Sequence, residues 1–467
     1  MYGMYNKIYN YLWIFAFLAD LWLYTITIRE ITEKKDKTWH IIGNVLTLRF
    51  LLWVIIMTFA LAIAYFLPGY NSVLALCGIA IISLFTIISL LNSAILALMQ
   101  SYMKIEFSLF STIFWKLTTL AVVALVVYFI FPAPLSPENL HSSLLLILWA
   151  GLGGIIVNTL LNAWYARNNV FPFSFRFDRE YIQHIFRISL PYGMALFLGV
   201  VYFKVDIILL SLLEGSEKGD ISIAYYALPM KIVEVLMVLW WFYLNSLLPS
   251  LSESYIQKNF EKYRKLLSFS LLLLLSAGIC IWIFSTLFAQ QIILIIANQQ
   301  YILWQGHQYS SLSVFPIVFF VLVFYFISLV FVYGLIAAKR QGELLRINII
   351  VTGINIIWNI LIIPYFSFLG SAYITVLSQI CLTFLAYLAI KKETPLSISF
   401  VQIASVFLAG VLSYGLWYWL LSFTDFWNIG DILILGTGVI FFFCTVCFIL
   451  LRNTMRDIFL EIKTPRS

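Results

Sequence analysis

Two long apolar runs of this chain carry charges in their interiors. Lys204 and Asp206 stand in LPYGMALFLGVVYFKVDIILLSLL, and Lys231 and Glu234 stand in ISIAYYALPMKIVEVLMVLWWFYLNSLL. Each run is long enough to cross a bilayer. At that depth a charge is costly, and it faces a partner or a water-filled cavity rather than lipid. Lysines gathered in a polar cavity suit an anionic ligand: a pyrophosphate, a uronic acid or another acidic sugar. The same residues offer nothing for catalysis, since no nucleophile–base pair or phosphate cradle accompanies them.

Spacing sorts the four charges. Lys231 and Glu234 are three apart, so they share a helix face and can pair with each other. That pair either neutralises itself near one end of a bundle or lines a cavity. We favour the cavity, because Lys231 lies roughly 15 Å along the run and Pro229, two residues earlier, removes a backbone hydrogen bond and marks a hinge. Lys204 and Asp206 are two apart, about 200° around a helix, and cannot share one face. Which of them meets a ligand stays open. Asp20, in the middle of an earlier run, is expected to pair with Lys204 or Lys231. Arg49 and Lys116 lie nearer the other ends of their runs, where they either snorkel to lipid headgroups or touch the headgroup of a ligand.

The elements that must hold these residues are membrane helices. Hydrophobic residues make up 63% of the 467, charged residues 10%, and mean hydropathy is +0.99. No soluble domain hides that much apolar surface. Apolar runs of spanning length fall at about 8–28, 46–67, 73–99, 108–131, 143–165, 190–212, 221–248, 266–289, 312–336, 344–363, 368–390, 400–422 and 430–451. The expected fold is therefore an all-α polytopic membrane protein of about thirteen transmembrane helices. No connection is long enough to form a separate soluble domain.

Charge alternation supports that count. The chain has 28 lysines and arginines; 22 fall in one set of alternate connections and the tail, and the opposite set holds only Lys218. This is the positive-inside pattern, and it places the C-terminus in the cytoplasm. It also explains the net charge of +7 without invoking nucleic acid. Met1 then falls on the far side, without a cleavable signal, since Asp20 interrupts the first apolar core. A further helix before residue 1, making fourteen, is the simplest account.

Repetition points the same way. YGMYNKIYNYLW at Tyr2–Trp13 resembles AYYALPMKIVEV at Ala224–Val235, each a tyrosine-rich entry into a membrane helix. Two pseudo-symmetric lobes are expected: 1–166 as N-lobe helices lacking the first, 167–189 as a cytoplasmic linker, and 190–390 as C-lobe helices. Residues 391–467 would add two C-terminal helices and a cytoplasmic tail. Two halves around a midplane site is a common transporter plan.

Other features read as structure. His40, His141, His184 and His307 lie in separate connections without metal spacing. The five cysteines lie in apolar runs, and Cys444-x-x-Cys447 is one helix face rather than a redox motif. Gly151, Gly153 and Gly154 suggest close helix packing, since no strand precedes them. Trp240, Trp241 and Tyr243 anchor at an interface or pack. No cofactor or metal is expected.

Several stretches, in order, resemble the polysaccharide and oligosaccharide-lipid flippases, the O-antigen/polysaccharide transporter branch of the multidrug/oligosaccharidyl-lipid/polysaccharide exporter superfamily. YGMYNKIYNYLWIFAFLADLWL resembles that family's entry to its second helix. FRFDREYIQHIFRISLPYG resembles its linker into helix seven, with Pro191 at the helix start, and VYFKVDIILLSLL resembles a pattern with an aspartate, here Asp206, in that helix. IAYYALPMKIVE resembles the entry to helix eight, with Ala224 in place of the usual glycine. NILIIPYFSFLGSAYITVLSQ, with Asn359, Pro364, Gly370, Ala372 and Thr375, resembles the short loop between helices eleven and twelve. The resemblance covers nearly the whole chain. It implies a two-lobed bundle with a cavity lined mainly by helices one, two, seven and eight; here the last three are about 8–28, 190–212 and 221–248.

The function expected from all this is flipping of a lipid-linked oligosaccharide or repeat unit, polyprenyl-pyrophosphate-linked, from the cytoplasmic to the outer leaflet by alternating access. The setting is the cytoplasmic (inner) membrane of a bacterium or archaeon, with membrane lipids and other polysaccharide assembly proteins as partners. Three rivals remain. A drug/cation antiporter of the same superfamily would favour acidic residues in its pocket, whereas this one mixes Lys and Asp. A membrane polymerase or glycosyltransferase would need a charged outer loop, and the longest here, about 290–311, has no Asp, Glu, Lys or Arg. A non-transporting scaffold would leave the charges in 190–248 unexplained.

Overall fold

A computed structural model describes residues 2–20, 23–102, 104, 106–132, 137–170, 174–302, 309–393, 400–423 and 429–463. Among these residues the chain is helical and contains no strand, as a lipid solvent requires of a chain that must satisfy its own backbone. The helices are α1 Tyr2–Asp20, α2 Leu23–Glu33, α3 Thr38–Phe66, α4 Val73–Ser101, α5 Glu106–Leu125, α6 Pro137–Asn169, α7 Arg179–Glu214, α8 Ser216–Ile256, α9 Phe260–Leu287, α10 Ala289–Ile296, α11 Ser311–Ala337, α12 Gln341–Glu393, α13 Phe400–Leu421 and α14 Ile429–Lys463. Ten described helical segments are long and apolar enough to cross a membrane.

Two expected spans differ in detail. The run at 8–28 is shared between α1, which ends at Asp20, and α2, which begins at Leu23. The runs at 344–363 and 368–390 form one long element, α12, interrupted at Ser367 with φ 53° and ψ −144°. The side chains show that α12 doubles back there: Asn355 Nδ2 donates to Ser378 Oγ at 3.1 Å, so the two arms lie side by side. Around Pro229 and Pro249, by contrast, α8 remains helical. The hinge expected at Pro229 is thus a continuous helix carrying a missing hydrogen bond, not a break.

The chain forms two compact units, Met1–Ala224 and Tyr225–Ser467. This partition by compactness differs from the repeat-based lobes, because α7 packs against α1 within the first unit. In that unit α4 packs against α6, α3, α2 and α1, around a core that includes Ile8, Tyr11, Leu12, Met57, Tyr70, Ile79, Leu144 and Leu148. In the second, α11 packs on α9 and α12, and α13 and α14 pack on α9. Lipid tails are as apolar as leucine, so close backbone approach has to supply the attraction between such helices. Gly278 of α9 shows it: a Cβ there would lie 3.0 Å from the Cα of Val323 on α11. Among the three glycines of α6, only Gly154 acts this way, against Trp115 and Thr119 of α5; Gly151 and Gly153 face open space.

The segment leading into α7 is fastened to the start of α3. Asp178 caps α7 by accepting from the backbone N–H groups of Glu180 and Tyr181. His40 Nε2 sits 3.0 Å from Asp178 Oδ2, and Asp178 N donates to Asn44 Oδ1 at 2.6 Å. The Arg176 guanidinium lies 3.3 Å over the ring of Trp39. His40 is therefore a clasp between two elements rather than a plain surface histidine. His307 lies outside the described residues.

Candidate functional site

Asp20, Arg49, Lys116, Lys204 and Asp206 belong to the first unit; Pro229, Lys231 and Glu234 belong to the second. Asp20 is the last residue of α1, and its Oδ1 lies 3.0 Å from Arg49 Nη2 of α3. The expected partners, Lys204 or Lys231, are not the ones it takes here. The reason lies in Arg49, which is 0% exposed and must be neutralised where it stands. Arg49 also donates to the Leu90 carbonyl and to Ser93 Oγ of α4, so one guanidinium ties three helices together. The snorkelling reading fails for Arg49 for the same reason. Lys116, on the outward face of α5, is exposed and fits that reading.

Lys204 and Asp206 of α7 are both withdrawn from the surface, at 7% and 0% exposure. The Lys204 ammonium stands 5.6 Å from the ring centroid of Trp13 on α1, a cation–π contact. Beside it, α1 and α4 enclose a cavity of about 180 Å³ lined by Tyr9, Leu12, Trp13, Ala16, Ile82, Phe85, Thr86, Ser89 and Leu90. Leu90 connects this cavity to the Arg49–Asp20 pair, and Trp13 connects it to Lys204. In the second unit, Lys231 Nζ lies 3.0 Å from Glu234 Oε2, with 39% and 31% of the two side chains exposed. The expectation from their spacing holds.

Two further polar clusters stand outside the residues expected at the site. Lys7 of α1 is 1% exposed, and its ammonium lies 2.6 Å from Asp220 Oδ1 at the start of α8 and 5.7 Å from the centroid of the Tyr70 ring. Lys7 stands in the tyrosine-rich helix entry at Tyr2–Trp13 and Asp220 more than two hundred positions later, and only the tertiary fold joins them. The second cluster lies among α8, α11 and the two arms of α12. Tyr226 OH meets Thr375 Oγ1 at 3.0 Å, and Gln379 Nε2 donates to Ser328 Oγ at 2.6 Å. Asn359 Nδ2 donates to the carbonyl of Asn355 at 3.0 Å. The signal available for it was the spacing of neutral polar residues, Asn355 with Asn359 and Ser371 with Thr375 and Gln379, at one turn of helix within apolar runs. Trp240 and Tyr243 pack inward, on Phe326 and Ser270 respectively. Among the described residues no group of three or more His, Cys, Asp or Glu is placed to hold a metal.

A family model described as "Polysaccharide biosynthesis protein" matches residues 1–255, more than half of the chain. The chain belongs to this polysaccharide biosynthesis family. A second model, MatE, matches residues 191–361 of this family member. Its fold is similar to that of the lipid II flippase MurJ in an inward closed conformation, at 15% identity and a TM-score of 0.69, over 97% of each chain. It is also similar to a multidrug resistance MATE family transporter of the MOP superfamily. The inward-facing conformation gives 14% identity and a TM-score of 0.65 over 84% of this chain and 90% of that one. The outward-facing conformation gives a TM-score of 0.56 at the same identity, over 83% and 86%. No curated protein matches the sequence. The all-α membrane fold expected from the sequence is the fold these structures share, and the polysaccharide family it resembles is the one whose model matches.

Proposed function

We propose that this protein is a flippase that moves a lipid-linked oligosaccharide or polysaccharide repeat unit from the cytoplasmic to the outer leaflet of the inner membrane. The observation that carries the reading is the polysaccharide biosynthesis match over residues 1–255, which takes in α1, α7 and nearly all of α8, the elements that bear Asp20, Lys204, Asp206, Lys231 and Glu234. The withdrawn Lys204 fits an anionic headgroup, which a sugar attached through pyrophosphate would supply. The similarity of fold to a lipid II flippase is in keeping with a substrate whose headgroup is polar and whose tail stays in lipid. Alternating access between the two leaflets is the mechanism such bundles use.

Lys204, Asp206, Lys231 and Glu234 are the side chains we assign to substrate or to its passage. Asp20 and Arg49 hold α1 in place, and Pro229 supplies the weak point of α8. The match of MatE to residues 191–361 favours one second reading, a multidrug antiporter.

The test is a host strain lacking the gene, with lipid-linked sugars assigned to leaflets alongside measurement of surface polysaccharide. Complete oligosaccharide-lipid trapped on the inner leaflet, with surface polymer lost, is the expected result. Normal surface polymer with altered dye or drug accumulation would establish the antiporter. Repeat units that reach the outer leaflet unpolymerised would mean an assembly enzyme.

A further inference from the structure

Resting on that reading, we propose that the cavity between α1 and α4 is a sugar subsite: it seats one ring of the headgroup against Trp13, with Lys204 taking an anionic group on or next to that ring. The lining carries three aromatic rings, those of Tyr9, Trp13 and Phe85, and three hydroxyls, those of Tyr9, Thr86 and Ser89. A pyranose has an apolar C–H face that packs on an aromatic ring, and a rim of hydroxyls that need polar partners. An aromatic surface bearing a few placed polar groups is the general form of a small-molecule site.

Size narrows the ligand. Pockets that enclose a drug-sized molecule hold roughly 300–1,000 Å³. At about 180 Å³ this one takes a single ring-sized portion of a larger molecule. The headgroup of a lipid-linked oligosaccharide would present such a portion. Thr86 Oγ1 spends its proton on the Ile82 carbonyl at 2.8 Å, which leaves the oxygen's lone pairs to accept from a sugar hydroxyl.

Charge narrows it further. Lys204 lies over the ring of Trp13, a lining side chain, at 5.6 Å from the centroid and 7% exposure. A cation on an indole face is preorganised rather than solvated, so an anion arriving beside that indole gains a charge-assisted bond in a poorly hydrated place. A carboxylate on the ring, as in a uronic acid, and a phosphate at its anomeric carbon share this chemistry.

The purified full-length protein in lipid nanodiscs tests the assignment by saturation-transfer NMR with three probes: glucuronic acid, glucose 1-phosphate and glucose. The expected result is transfer to the ring protons of both anionic sugars and at least fivefold less to glucose. Trp13→Ala abolishes it, Trp13→Phe keeps it, and Lys204→Gln removes the preference for the anions. Stronger transfer to glucuronic acid identifies a ring carboxylate as the group recognised; stronger transfer to glucose 1-phosphate identifies the phosphate. The subsite is overturned by absence of transfer to the anionic sugars, by transfer that survives Trp13→Ala, or by an anion preference that survives Lys204→Gln. Trp13→Phe guards against a merely unfolded Trp13→Ala. Flipping of lipid-linked sugar, measured with the same proteins reconstituted in sealed vesicles, separates the two claims. Flipping that proceeds while Trp13→Ala binds normally removes only the subsite; sugar binding at Trp13 without flipping removes only the flippase.

Discussion

Arg49 Nη2 and Asp20 Oδ1 lie 3.0 Å apart, and no part of the arginine side chain reaches the surface. Around this pair the ends of α1, α3 and α4 are gathered, since Arg49 also bonds Leu90 and Ser93. Removing one member of a buried pair leaves the other charge uncompensated, which typically costs about 3–5 kcal/mol. Asp20→Asn, which leaves the fully buried Arg49 without its counter-charge, is expected to lower thermal stability in detergent by that order, and the double variant Arg49→Met with Asp20→Asn by distinctly less. Single and double variants of equal stability would show that the pair does not organise the unit.

Lys231 and Glu234 form a half-exposed pair one turn apart, so the bond itself contributes little, on the order of 0.2–0.5 kcal/mol. Lys231→Glu should therefore insert normally yet reduce export at least tenfold. The exchange Lys231→Glu with Glu234→Lys rebuilds the pair in reverse. If Lys231 meets the substrate, the exchanged protein stays inactive; recovery of export would assign the lysine to helix stability alone.

Hydrogen bonds from the Tyr181 N–H and from His40 hold the Asp178 carboxyl below the usual carboxylate range. The bonds favour the charged form, so the cap's contribution is complete above the ordinary aspartate pKa of about 3.9 and is lost as pH falls through the lower, folded value. Amide exchange at Glu180 and Tyr181 should thus be slow and unchanged from neutrality down to about pH 4, after correction for intrinsic rates, and accelerate below it. Asp178→Ala should show fast exchange at every pH. Protection that fades between pH 7 and 5 would transfer control to another group.

Lys7 is held by Asp220, and directly beside it Gly3 sits against the Asp220 carbonyl and Ala224. A side chain at position 3 has no room, because its first carbon would collide with main chain rather than with a flexible tip. Gly3→Val is expected to destabilise by about 1–3 kcal/mol, the usual cost of overpacking. Lys7→Met, which leaves Asp220 without its cation, should cost more than Gly3→Val in the same melting assay. Wild-type melting of both would mean that α1 and the start of α8 are not locked together.

The membrane architecture was legible because the bilayer penalises errors of a simple kind. Charge at depth is costly, so the alternation of lysine and arginine between connections reports the number of crossings. Helical spacing also sufficed for Lys231 and Glu234, whose partnership is local. It did not suffice for Asp20. Its partner Arg49 is 29 positions away on another helix, and nothing in either run states which face of α1 meets which face of α3. Lys7 and Asp220 failed for the same reason over a longer interval. Trp13 escaped notice because an aromatic residue in an apolar run looks like packing until a cation is found above it. At the turn of α12 the motif of Asn359, Pro364, Gly370, Ala372 and Thr375 was visible, but the positive φ belongs to Ser367, a residue type that does not announce it.

That single serine has a topological consequence. As one unbroken helix, α12 would cross the membrane once and extend far past it, about 80 Å at 1.5 Å per residue. Folded at Ser367, its two arms lie side by side, which returns Lys391 and Lys392 at its end toward the end that carries Arg346. Every segment after it, including α13 and α14, inherits its orientation from that reversal. A backbone conformation that glycine adopts readily and serine adopts at a cost thus sets the direction in which the last fifth of the chain sets out.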